Sequence, residues 1–132
     1  MITLNLQNGA RFDLLPSAVT IIEETKATEG TEAGTTVALD FGDGVATEAL
    51  KDKYGYVRKQ VLDTGAMLNP IEVKMAHDKH RVTFSRNAIV ARQELKDKEA
   101  PGNTLLFVKF SDNAKTLRWM IDDTIAQLDG ED

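Results

Sequence analysis

The chain has 132 residues, a formal net charge of −5, 42% hydrophobic and 28% charged residues, and no cysteine. Those values fit one compact domain able to bury about two thirds of the surface its unfolded form exposes. They exclude disulfides, thiolate metal sites and a cysteine nucleophile, and they suit a reducing cytoplasm.

The opening MITLNLQNGARF has no basic segment leading into a long apolar run, so neither a signal peptide nor a membrane span is expected. Charge is spread unevenly. Residues 1–50 hold Arg11 and Lys26 against eight acids, a balance of −6, whereas residues 51–63 carry +2 and the remainder −1. An acidic first half repels a phosphate backbone within a Debye length, so nucleic-acid contact would fall to the second half.

Ile2, Leu4 and Leu6 alternate, Asn8-Gly9 follows, and Phe12 and Leu14 resume the alternation. This predicts a hairpin with strands at about 2–7 and 10–15 and a tight type I′ turn. Pro16-Ser17 breaks the pattern, and 18–24, rich in β-branched residues, reads as a third strand. After a polar loop over 25–35, Val37, Leu39 and Phe41 alternate as a fourth. Leu50, Tyr54, Val57 and Val61 then recur at helical spacing, which predicts an amphipathic helix weakened at Gly55.

From Ile71 the layout is written again. Ile71, Val73 and Met75 alternate, a polar HDKH turn follows, Val82 and Phe84 resume, and 87–95 parallels 17–25. TLLFVKFSDN falls on TTVALDFGDG, and Leu117, Ile121, Thr124 and Leu128 repeat the helical spacing. The expected architecture is α+β: two tandem ββββα repeats, 1–63 and 71–129, joined by a linker at 64–70 and closed into one pseudo-twofold domain.

Candidate chemistry is sparse. LDFGDGV, residues 39–45, invites a phosphate-loop reading, but it lacks the Lys-Ser/Thr pair, and its counterpart VKFSDNA has no glycine. A strand-to-helix corner capped by Asp43 or Asp112 is the expectation. His77, Asp78 and His80 resemble a zinc ligand set, yet three ligands on one short turn need outside help, so a solvated turn is expected and no metal. The serines Ser17, Ser85 and Ser111 lie far in sequence from either histidine, so no catalytic residue and no cofactor are assigned.

Lys74, Lys79, Arg81, Arg86 and Arg92 gather positive charge in the second repeat, and Trp119 flanks the last apolar stripe. A partner interface built on these six residues is the expectation, because large aromatics anchor interfaces and charges steer assembly. The composite reading is a non-catalytic assembly protein that associates with itself, head to tail, or docks into a larger complex, a viral particle among them. Two alternatives remain: a nucleic-acid regulator using the Lys74–Arg92 strip, and a small-ligand binder at the seam between repeats.

Overall fold

Strand follows strand from Ile2, in a computed structural model that describes residues 1–112 and 114–130. The first half contains β1 (Ile2–Asn5), β2 (Arg11–Leu14), a 3-10 turn at Pro16–Ala18, β3 (Val19–Thr25), β4 (Gly34–Asp40), β5 (Val45–Leu50) and α1 (Tyr54–Leu62). The second contains β6 (Pro70–Lys74), β7 (Arg81–Ser85), a 3-10 turn at Arg86–Ala88, β8 (Ile89–Glu94), β9 (Thr104–Val108), β10 (Leu117–Ile121) and α2 (Ile125–Leu128). The protein is α+β, and its strand pairings are antiparallel.

Five strands run in the order β5-β4-β3-β7-β6, flanked by the pair β1-β2 and the triplet β10-β9-β8. Backbone bonds tie the three sets together. Leu6 bridges Leu50, with Lys51 N donating to Asn5 O at 2.8 Å; Met75 bridges Ile121, with Asp122 N donating to Lys74 O at 2.7 Å. The strand order thus reads β2-β1-β5-β4-β3-β7-β6-β10-β9-β8, with β2 and β8 at its two ends.

Two apolar clusters lie along it. Ile2, Leu4, Ile22, Val37, Leu39 and Leu50 pack against Tyr54, Val57 and Val61 of α1. Ile71, Val73, Phe84, Leu106, Val108 and Ile121 form the other with Leu128 of α2, and Ile21 reaches into it from β3. The alternation expected for β1, β4, β6 and β7 lands in these clusters, since side chains two apart share a face.

Several expectations require correction. Val45–Leu50 and Leu117–Ile121 are strands, so five strands, not four, precede each helix. Each helix begins only four residues after the last buried strand residue, at Tyr54 after Leu50 and at Ile125 after Ile121. That spacing imitates a helical turn, which is why period counting fused strand and helix. The FGDG segment is accordingly a hairpin turn. Phe41 N donates to Gly44 O at 2.9 Å, Gly42 takes φ 91°, and Asp40 Oδ1, not Asp43, accepts a backbone N–H, from Gly42 at 2.8 Å. Phe41, expected inside, is 61% exposed at that turn.

The Asn8-Gly9 turn is also wider than expected. Asn5 pairs with Arg11, so the loop holds Leu6 to Ala10, and among its residues only Gly9 has positive φ, at 88°. Gly9 N donates to Leu6 O, so the connection is a tight turn followed by one left-handed glycine rather than type I′. Gly55 sits in the first turn of α1 instead of its interior, where backbone N–H groups lack helical partners anyway, and the helix continues to Leu62. Thr124 caps α2 and Gln127 returns the bond, a reciprocal capping box that fixes the start at Ile125.

Candidate interaction surface

The junction of the two halves is the antiparallel pair β3–β7, in the register Ile21↔Phe84, Ile22↔Thr83 and Glu23↔Val82. Alternation sends Ile22 into the first cluster and Ile21 into the second. Phe84 carries the aromatic packing of the second, with Trp119 edge-on at 5.1 Å and Phe110 at 6.3 Å. Each such pair adds about 0.5–1.5 kcal/mol beyond area burial.

Three polar groups brace this seam. Arg81 donates its backbone N to Glu24 Oε1 at 3.0 Å and its Nη2 to Oε2 at 2.9 Å. The Arg81 side-chain bond holds the Glu24 carboxyl below its usual range against the opposing effect of burial. Arg81 also lies over the Tyr54 ring, 4.7 Å from its centroid. Tyr54, on α1, donates its hydroxyl to Glu72 Oε1 at 2.8 Å and shares a short bond with the Thr83 hydroxyl, which accepts from Arg58 Nε at 3.0 Å. Burial, above all, pushes the Tyr54 hydroxyl well above the ordinary phenol range.

His80 is the third brace. It is buried in the turn between β6 and β7, with Nδ1 on the Asp78 carboxylate and Nε2 2.6 Å from Glu23 Oε2 of the first half. Burial pulls its pKa down, but the bonds and charges of Asp78 and Glu23 outweigh it, and the net shift is upward from 6.5. His77, Asp78 and His80 have potential ligand atoms within 4.8 Å of one another. They suit a metal poorly, because both ring nitrogens of His80 are already engaged by the carboxylates of Asp78 and Glu23.

Of the six residues expected at an interface, Lys74 opposes Arg81 across β6 and β7 with Lys79 in the turn between them, while Arg86 and Arg92 both reach the end of α2. Lys74 donates its backbone N to Asp123 Oδ1 at 2.7 Å, and Lys79, at φ 63°, pairs with Asp122. Arg81 is at the seam. Arg86 Nη2 donates to Leu128 O at 2.7 Å, and Arg92 forks onto Asp129 at 2.6 and 3.0 Å. Trp119, in β10, is half-buried beside Phe84 and Phe110. Of the five basic side chains, those of Lys79, Arg81, Arg86 and Arg92 each meet an acidic or carbonyl oxygen.

Sequence reading missed the Tyr54–Glu72–Thr83 network and the tie from Glu23 to His80, whose members lie up to 57 residues apart. The adjacent acids Glu23-Glu24 were the available signal, since the two meet the adjacent His80 and Arg81 of β7 and its preceding turn. A cavity of about 240 Å³ opens beside the seam, between Thr20, Ile21 and Ala38 of the first half and Phe110, Ala114 and Leu117 of the second. No helix among the described residues is long and apolar enough to cross a membrane. No protein-family model, curated protein or solved structure matches the chain.

Proposed function

We propose that this chain is a duplicated, non-catalytic assembly module that joins copies of itself, or docks into a larger complex such as a viral particle, through strand edges. It would act in the cytoplasm or in an assembly formed there. The observation that carries this reading is the junction itself: the two halves meet edge to edge through β3 and β7, while β2 and β8 end the strand order with no further strand beside them among the described residues. A strand edge presents a row of N–H and C=O groups ready to pair.

Duplication is supported by recurrent details. Asn5 N donates to Asp52 Oδ1 and Lys74 N to Asp123 Oδ1, both at 2.7 Å. Thr35 Oγ1 donates to Asp52 O and Thr104 Oγ1 to Asp123 O, again both at 2.7 Å. β3 is irregular between Val19 and Ile21, and β8 between Ile89 and Ala91. The recurrence of the same bonds between side chain and backbone at matching places favours a common fold unit over generic hairpin grammar.

Light scattering coupled to size-exclusion chromatography, over a concentration series, tests the reading. Mass rising with concentration supports it, and a strict monomer at high concentration overturns self-association. A ligand site at the seam is the second reading, favoured by the apolar-walled cavity between Ile21 and Phe110. A melting temperature raised by a metabolite library would support that one instead.

A further inference from the structure

Resting on the self-association reading, we infer that copies of this chain join head to tail, β8 of one adding to the outer edge of β2 of the next, in the register β3 and β7 already use within each molecule. In the second half β8 stands where β3 stands in the first. Both follow a 3-10 turn, both carry a bulge after their first residue, and both pair with the next strand, Val19 with Leu39 and Ile89 with Val108. β2 stands where β7 stands, each the second strand of a hairpin, with Leu14 opposite Ile2 and Phe84 opposite Ile71.

Transferring the internal register makes definite pairs. Ile21↔Phe84 becomes Ala91 opposite Leu14 of the next copy, and Ile22↔Thr83 becomes Arg92 opposite Asp13. Glu24, which grips Arg81 inside the molecule, becomes Glu94, and Arg81 becomes Arg11. Both charge pairs come out opposite in sign, and the second repeats the polarity of the internal one. A slip of two residues in either direction places Arg92 against Arg11, or Glu94 against Asp13, like charges that oppose pairing.

Apolar exposure falls on the same line. Val90 on β8 is 58% exposed and Leu15, just past β2, is 53% exposed. Their internal counterparts, Thr20 and Ser85, line one cavity at the β3–β7 seam. In the transferred junction Val90 and Leu15 cover one another. In the single chain Arg11 pairs with Asp13 and Arg92 forks onto Asp129, and the transferred junction exchanges these pairs for Arg92–Asp13 and Glu94–Arg11 between copies. Two different edges are used, so the contact is heterologous and closes into a ring or continues as a filament.

Because the chain has no cysteine, the register can be read by cross-linking. Asp13→Cys and Arg92→Cys proteins, mixed under mild oxidation, should form a disulfide-linked dimer, since directly opposed strand residues lie within disulfide reach. Neither protein alone should do so. In light scattering Asp13→Arg or Arg92→Asp alone should weaken association at least tenfold, and mixing the two should restore it. Association without the cross-link and insensitive to both reversals would overturn the β8–β2 junction while leaving self-association standing. A parent protein monomeric at every concentration would overturn both.

Discussion

Removing the Tyr54 hydroxyl tests whether α1 holds the second half in place. Tyr54→Phe deletes the donor to Glu72 Oε1 and the oxygen that meets Thr83. It leaves the ring under Arg81 and removes only one buried oxygen. A neutral hydrogen bond contributes about 1 kcal/mol and one to a carboxylate about 1.5–3 kcal/mol. Glu72 keeps 35% of its side-chain exposure, so water replaces part of the second loss. The expected cost is about 1.5–2.5 kcal/mol. Thr83→Val removes the same Tyr54 contact and the acceptor of Arg58, for about 1–2 kcal/mol. Because one bond is common to both variants, the double variant should cost about 1 kcal/mol less than the two added together. Urea unfolding followed by circular dichroism, and in parallel by the fluorescence of the single tryptophan, Trp119, reads both halves. Superimposed transitions with an unchanged slope are expected, their midpoints shifted by about 0.5–1.5 M for a chain of this size. Strict additivity, or a Trp119 transition unmoved by Tyr54→Phe, would refute the proposed coupling across the seam.

Other perturbations separate further parts of the structure. Since the folded pKa of His80 is raised, its contribution to stability is complete below its ordinary value of 6.5 and is lost as pH rises through the folded value. Melting temperature should fall over that window, and His80→Gln should flatten the slope. Glu24 is shifted the other way, so its contribution is present above its unfolded pKa and disappears as acid titrates through the lower folded value; Glu24→Gln should reduce that acid-side loss. A Cβ on Gly34 would lie 2.3 Å from Leu50 O, a backbone atom fixed by the β4–β5 ladder, so Gly34→Ala should cost about 1–3 kcal/mol in denaturant melts. Gly55 has open space and helical backbone, so Gly55→Ala should instead gain about 0.5–1 kcal/mol. Equal responses at the two glycines would contradict this account of both.

The fold was legible wherever one period held. Ile2 and Leu4, Val37 and Leu39, Ile71 and Val73, and Val82 and Phe84 alternate and are buried as alternation demands. It was illegible where β5 and β10 hand over to helices, because Leu50 and Ile121 end strands at a spacing that mimics one helical turn. Thr124 and Gln127 carried a correction in plain view, since the Thr-x-x-Gln spacing marks a helix start. The seam was out of reach for a different reason: β3 pairs with β7 across about sixty residues, and local patterning says nothing about which edges meet. The partners of the Lys79, Arg81, Arg86 and Arg92 side chains were out of reach for the same reason, since each acidic or carbonyl oxygen is supplied by a distant element.

The two outer and two inner edges differ in a way that follows from when each must meet water. Covalent connection keeps β3 and β7 at high mutual concentration, so that seam can use Ile22, fully buried, and the contact between Ile21 and Phe84. β8 has no such tether. At the position matching Ile22 it carries Arg92, and a charged residue on an open edge limits indiscriminate strand pairing while still allowing a partner of opposite charge. Arg92→Ile should therefore trade selectivity for stickiness: it restores the apolar residue of the inner seam and removes the demand for Asp13. Turbidity and light scattering should rise well above the parent at equal concentration, and the added Asp13→Arg change should no longer suppress association. If the Arg92→Ile protein stays as dispersed as the parent, the charge on β8 is not what governs access to that edge.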